Sequence, residues 1–127
     1  MNGAAGLVNV VPRVDRSVPI CEVEGEIDAS NVESVFDQLV ASASSGSPGL
    51  VLDLTRTVYL DSAGVALLLR LAERLRSRRR ELQLVVPRGS PVRRVLDFTR
   101  LPRVIPLESR LEDALALRDH ALPDDFS

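Results

Sequence analysis

The sequence has few of the residues that build catalytic and metal sites. It contains one cysteine, one histidine, no tryptophan and no lysine, since all sixteen basic residues are arginine. Cys21 therefore has no internal disulfide partner and is expected to pack as a small apolar residue. A single cysteine and a single histidine, far apart in the chain, do not form a metal-ligand cluster. The sequence thus predicts no metal and no cofactor.

Long apolar runs are also absent. No uninterrupted apolar segment approaches the roughly 20 residues that a membrane span requires. The opening residues, MNGAAGLVNVVPRVDRSV, lack the basic segment, apolar core and cleavage site of a signal peptide. We therefore expect a cytoplasmic protein without a membrane span. A chain of 127 residues with 45% apolar and 3% aromatic residues suits one domain over residues 1–127, with a core of Leu, Val, Ile and Ala.

Charge is divided between two parts of the chain. Residues 22–61 carry eight acids and one arginine, for a net charge of −7, whereas residues 62–103 carry eleven arginines and three acids, for +8. Such an asymmetry can steer a complementary partner or simply solvate two faces, and the second is more common. The cluster Arg76 and Arg78 to Arg80 lies at a predicted helix end, where cations complement the helix dipole. No aromatic residue within it could stack on bases, which argues against nucleic-acid binding.

Apolar spacing predicts alternating strands and helices. The fold class is α/β, with a central, mostly parallel sheet, an N-terminal antiparallel edge pair and about four α-helices. Ser30 is the expected N-cap of the first helix, with Glu33 completing a capping box, and Ser90 that of a later helix beginning at Pro91. The core covers about residues 7–117, and the tail 122–127 is expected to fray. The predicted strands are 7–14, 18–27, 49–60, 82–86 and 104–107, and the predicted helices are 30–43, 63–78, 91–98 and 109–117.

The most informative stretch is VYLDSAGVALLLRLAERL, residues 58–75. It joins an apolar strand to an amphipathic helix, in which Val65, Leu68 and Leu69 recur at core spacing, through Asp61-Ser62-Ala63-Gly64. At a helix N-terminus the first backbone N–H groups lack partners and the dipole is positive, so a carboxylate, a capping hydroxyl or a phosphate is favoured there. The simplest interpretation is that Asp61 or Ser62 caps the helix.

A set of motifs in fixed order resembles the STAS domain, the fold of bacterial anti-sigma factor antagonists. The resemblance covers about residues 18–117 and implies a single STAS-type domain. The matching segments are EGEID at 24–28, VLDLT at 51–55, LDSAG at 60–64, LQLVV at 82–86, VLDFTRLP at 95–102 and LEDALA at 111–116.

The resemblance implies a protein-binding switch, with one departure. In the family the loop carries D-S-[S/T]-G, and the hydroxyl residue directly before the glycine is phosphorylated by an anti-sigma kinase, which releases the antagonist. Here that residue is Ala63, which has no hydroxyl. Ser62 is the one hydroxyl that could replace it, but one position along a helix turns a side chain by about 100°. We therefore expect a constitutive binder, with phosphorylation of Ser62 as the alternative.

The expected partner-binding surface consists of this loop and the helix that follows it, from Asp61 to Leu69. The resemblance transfers Asp28 and Asp61 to the site, although Asp28 could equally be a turn residue and Asp61 a helix cap. Gly64 is expected where another backbone approaches closely. Asp53, on the central strand, is expected to make a structural hydrogen bond. The full expected set is Asp28, Asp61, Ser62, Ala63, Gly64 and Val65.

Three functions are compatible with these residues. The first is a regulatory module that binds an anti-sigma factor or a related serine-kinase-type protein. The second, also implied by the resemblance, is an accessory subunit that binds the ATPase subunit of an ABC-type lipid transporter. The third is an enzyme using Asp28, Asp61 and Ser62, which is disfavoured because no histidine or lysine accompanies Ser62 and no Walker-type loop exists. The sequence leaves the oligomeric state open between monomer and homodimer.

Overall fold

The computed structural model describes residues 7–43 and 47–121, and side chains as far as residue 117. The predicted tail 122–127 lies outside this range. The elements, in chain order, are β1 (Val8–Asp15), β2 (Val18–Ile27), α1 (Val32–Ser42), β3 (Gly49–Asp53), β4 (Thr57–Leu60), α2 (Ser62–Arg76), β5 (Glu81–Val85), α3 (Pro91–Asp97), a 3-10 turn (Leu101–Arg103), β6 (Leu107–Glu108) and α4 (Leu111–Ala121). The predicted α/β class is confirmed.

The strands form one mixed sheet of six strands in the order β1-β2-β3-β5-β6, with β4 pairing β2. The predicted hairpin is confirmed, because β1 pairs antiparallel with β2 along its whole length. All other pairings are parallel. Strand β2 pairs first with β3 and then, beyond an irregularity at Gly25, with β4. This arrangement brings the ends of β2 and β4 side by side, which positions the loops that follow them.

Helices cover both faces of the sheet. Alternate residues of the central strand β3 point to opposite faces, so Leu50 and Leu52 join the larger core cluster with α1, α2 and α3, whereas Val51 joins a smaller cluster with α4. Cys21 is fully buried in the larger cluster, as predicted, and burial raises the pKa of its thiol. In the part of the chain that the structure describes, no helix is long and apolar enough to cross a membrane.

The expected strand over residues 49–60 is wrong, because the structure divides it into β3 and β4. The carboxylate of Asp53 accepts hydrogen bonds from the backbone N–H of Thr55 at 2.9 Å and from the Thr55 hydroxyl. The backbone then turns, and Thr57 N donates to Leu54 O at 3.1 Å. Local side-chain bonds of this kind compete with the sheet ladder. Asp53 is 5% exposed, and the prediction of a structural hydrogen bond is confirmed.

Other element boundaries also differ from the predicted ones. Asn31, rather than Ser30, occupies the N-cap of α1, so the predicted capping box is wrong. The predicted strand 104–107 is wrong for residues 104–106, and only β6 is extended. Residues 101–105 form a helical turn instead, because Leu101 and Ile105 are buried at helical spacing and Ile105 N donates to Leu101 O at 3.0 Å. Helix α4 begins at Leu111 instead of Ser109. The Ser90 cap of α3 is confirmed, since its hydroxyl accepts from Arg93 N at 3.0 Å.

Candidate functional site

The carboxylate of Asp61 joins the start of α2 to the loop between β2 and α1 by hydrogen bonds. Its Oδ1 accepts a hydrogen bond from Gly64 N at 3.0 Å, which makes Asp61 the N-cap, and its Oδ2 accepts one from Ala29 N at 3.2 Å. Its own backbone N–H donates to Ile27 O at 3.3 Å. Of the two expected caps, Asp61 is therefore the correct one and Ser62 is not. One carboxylate satisfies a free helix N–H and also holds the loop between β2 and α1 in place.

Asp28 lies in that second loop and organises it. Its carboxylate accepts from the backbone N–H of Ser30 at 2.9 Å and from the Ser30 hydroxyl. Its backbone N–H donates to Asn31 Oδ1 at 3.1 Å, and its carbonyl accepts from Val32 N at 3.0 Å. These are the bonds of an Asx turn leading into a helix. Asp28 and Asp61 thus belong to adjacent loops, and both carboxylates have structural roles.

Gly64 lies where two other segments leave no room for a side chain. A Cβ at this position would overlap Leu60 Cδ1 and lie 3.2 Å from the carbonyl oxygen of Ile27. Leu60 is 3% exposed and Ile27 is fully buried, so neither has free space to move into. The expected close backbone approach is confirmed, and it occurs inside the domain.

The other three predicted residues differ in accessibility. Ser62 is exposed, while Ala63 and Val65 are half-buried and pack against the larger core cluster. Among the described residues the Ser62 hydroxyl has no hydrogen-bond partner. Because successive residues of a helix point about 100° apart, a hydroxyl at position 62 and one at position 63 would lie on different sides of the first turn of α2.

An exposed stripe continues from Ser62 along α2. Ser62, Ala66 and Leu69 follow one another at positions i, i+4 and i+7, and all three are exposed. Leu69, expected in the core face, is 40% exposed, while Leu67, Leu68 and Leu71 are fully buried. Ala29 and Ser30 in the neighbouring loop are also exposed. We call these five residues the α2 face. Ser62, Ala66 and Leu69 lie within the predicted surface from Asp61 to Leu69, whereas Ala29 and Ser30 were not predicted as site residues.

An arginine of α2 connects this face to helix α1. Arg70 lies 3.2 Å from the Glu33 carboxylate, and its guanidinium is 4.3 Å from the centre of the Phe36 ring. The contacts join α2 to α1 by an exposed ion pair and a cation–π contact, each worth at most about 1 kcal/mol. They limit the freedom of the Arg70 side chain beside Leu69.

The side chains of this surface are suited to contacts with a protein. Two carboxylates are engaged in backbone hydrogen bonds, one hydroxyl is exposed, and the loop carries neither histidine nor lysine. Within residues 7–43 and 47–121, no group of three His, Cys, Asp or Glu side chains is arranged to hold a metal ion. An apolar stripe beside a fixed polar loop can bury surface against a protein and accept or donate a few hydrogen bonds.

Comparison with known proteins agrees with the motifs. The family model of the STAS domain matches residues 9–114. The chain is 31% identical over 111 residues to BtrV of Bordetella bronchiseptica, named as a candidate anti-sigma factor antagonist, covering 87% of this chain and 94% of that protein.

Solved structures show the same fold. The crystal structure of an anti-sigma factor antagonist from Mycobacterium paratuberculosis superposes with a TM-score of 0.80 and 26% identity, covering 90% of this chain and 96% of that one. The Bacillus cell fate determinant SpoIIAA in its phosphorylated form superposes with a TM-score of 0.59 and 21% identity, covering 88% and 99%.

Proposed function

The chain belongs to the STAS domain family and is similar to anti-sigma factor antagonists, and from this premise we propose that it binds an anti-sigma factor, or a related serine-kinase-type protein, through the α2 face. It acts in the cytoplasm as a binding module without catalytic activity. The main support for the proposal is the pair of hydrogen bonds that the Asp61 carboxylate accepts from Ala29 N and Gly64 N. They hold two loops in fixed positions beside Ala66 and Leu69.

The fixed loops favour binding because little conformational freedom remains to be lost. Asp61 joins residues separated by 32 positions in the chain, and Asp28 closes the turn before α1. A partner that docks here does not need to order either segment, so less of its interaction energy is spent on ordering. Leu69, 40% exposed, is the largest apolar side chain of the α2 face and is the proposed anchor.

We propose that binding is constitutive. Ala63 occupies the position of the family's phosphoacceptor and has no hydroxyl, and Ser62 points to a different side of the helix turn. A kinase aligned for position 63 would meet a methyl group packed against the core. The SpoIIAA relative, by contrast, has been solved in a phosphorylated form. Phosphorylation of Ser62 is the competing outcome.

The test is affinity capture from a native lysate of the source organism, followed by mass spectrometry. The wild-type chain should capture an anti-sigma factor, and Leu69→Arg should reduce capture at least about tenfold, because a charge would enter the buried centre of the contact. Leu117→Arg is the matched control, because Leu117 is a 48% exposed leucine on a different helix, α4. Helix α4 packs with the smaller core cluster, on the other face of the sheet from α2. Equal capture by the Leu69→Arg and wild-type chains would exclude the α2 face.

The second candidate is an accessory subunit of an ABC-type lipid transporter. It is favoured by the missing hydroxyl at Ala63, since a subunit that does not switch needs no phosphoacceptor. The same capture separates the two functions, because an ATPase subunit would replace the anti-sigma factor in the eluate. Loss of that ATPase with Leu69→Arg would keep the surface and change the partner.

A further inference from the structure

Phe98 is the most exposed large apolar residue in the described part of the chain, with 86% of its surface accessible. It follows directly after α3, whose buried residues are Val92 and Leu96. At 100° per residue, Arg94 and Phe98 fall on the opposite side of the helix from these two, and Val95, 38% exposed, lies at the border between the two sides. The Phe98 ring therefore protrudes into solvent instead of packing on its own domain.

Exposed arginines precede and follow Phe98 in the chain. Arg94 lies one turn before Phe98, and the exposed residues Arg100, Arg103 and Val104 follow it. Among the described residues, no carboxylate lies within ion-pair distance of these three arginines. The nearest acid in sequence, Asp97, pairs with Arg93 at 3.4 Å. We call Arg94, Phe98, Arg100, Arg103 and Val104 the Phe98 ridge.

The end of α2 extends the positive charge of this ridge. Arg76 donates from its guanidinium to the carbonyl oxygen of Val104 at 3.3 Å, which places the last turn of α2 beside the ridge. Arg78 and Arg79, both exposed, follow within three residues. Six of the eleven arginines of residues 62–103 therefore belong to the ridge or to the adjoining end of α2.

We propose that the Phe98 ridge docks the protein reversibly on an anionic membrane surface. Guanidinium groups pair well with lipid phosphates, and each basic residue near an anionic surface strengthens binding about fivefold. A protruding phenylalanine, with the exposed Val95 three residues before it, can enter the interface between headgroups and acyl chains. This surface function is additional to partner binding by the α2 face and does not depend on it.

The shape of the ridge favours a membrane over the other polyanions. Single-stranded nucleic acid is held in a groove lined by several aromatic rings, whereas this ridge carries one ring that protrudes. An acidic protein would need a pocket shaped for Phe98, whereas a lipid surface deforms around it. Binding to nucleic acid or to an acidic protein is therefore an alternative outcome that the experiment distinguishes.

The experiment is sedimentation of the full chain with vesicles of phosphatidylcholine alone or containing about one-third phosphatidylglycerol. Wild type should bind only the anionic vesicles, and about 1 M salt should release it, because the Debye length falls to about 3 Å. Arg100→Glu with Arg103→Glu should weaken binding by at least about 25-fold. Phe98→Ser should weaken it without any change in charge.

The charge-matched control is Arg56→Glu with Arg110→Glu, at two exposed arginines that pair with Glu24 and Glu112. This variant should keep most of the binding, and all variants should keep the wild-type melting temperature because the altered side chains are exposed. Equal binding of wild type to neutral and anionic vesicles, or equal losses in the ridge and control variants, would overturn the proposal. So would a wild-type chain that ignores vesicles and binds single-stranded nucleic acid through Phe98.

Discussion

Replacing Asp61 tests whether one carboxylate holds the two loops together. Asp61→Ala removes the N-cap of α2, which costs about 1 kcal/mol, and the hydrogen bond from Ala29 N, which costs about another 1 kcal/mol at this exposed position. The expected loss is about 2 kcal/mol. With an unfolding entropy of about 2.1 cal/mol/K per residue, a chain of 127 residues should lose about 7 °C in Tm.

Asp61→Asn separates the two contributions. Asparagine caps helices as well as aspartate does, so its Oδ1 can still accept from Gly64 N. Its amide nitrogen cannot accept from Ala29 N, so about half of the loss, about 1 kcal/mol, should remain. Urea unfolding at neutral pH measures both values as shifts in midpoint at constant slope. An Asp61→Asn chain as stable as wild type would refute the role of the Ala29 bond, and an Asp61→Ala chain as stable would refute the cap as well.

Three further predictions concern the core and the loop. Gly64→Ala should lower the free energy of unfolding by about 1–3 kcal/mol, and Gly64→Val by more, because the added Cβ lies 3.2 Å from the Ile27 carbonyl oxygen; urea midpoints equal to wild type would contradict the close approach. Incubation with a candidate anti-sigma kinase and ATP should add a phosphate to Ala63→Ser but not to wild type, as read by intact-protein mass spectrometry, and phosphate on Ser62 of wild type would restore a switch moved by one residue. The thiol of Cys21, whose pKa is raised by burial, should resist a disulfide reagent such as dithionitrobenzoate in the folded chain and react fully in urea; rapid reaction of the native protein would contradict the packing.

The sequence predicted those elements whose signals are local and periodic. The hairpin of β1 and β2 and the Ser90 cap with Pro91 in α3 follow from apolar alternation and from side chains within three residues. The predicted strand over residues 49–60 and the Ser30 cap failed because neighbouring polar side chains redirect the backbone. Asp53 bonds Thr55, and Asp28 bonds Ser30. Both are i to i+2 contacts that compete with the regular pattern.

The sequence predicted the position of Asp61 at the start of α2 but not the contact that joins it to the neighbouring loop. Spacing places Asp61 at a helix N-terminus, but its bond to Ala29 requires Ile27 and Leu60 to lie side by side, which depends on how β2 pairs with β4. That register follows the irregularity at Gly25 and involves residues more than 30 positions apart. The exposure of Leu69 depends in the same way on which side of α2 meets the sheet. Neither can be inferred from the local sequence.

The most direct test of constitutive binding is the dissociation constant for the captured anti-sigma factor, measured by calorimetry before and after incubation with ATP and magnesium. Constitutive binding predicts the same dissociation constant in both samples, with no phosphate on the chain, because Ala63 offers no hydroxyl. A dissociation constant that rises after incubation, together with phosphate on Ser62, would contradict it.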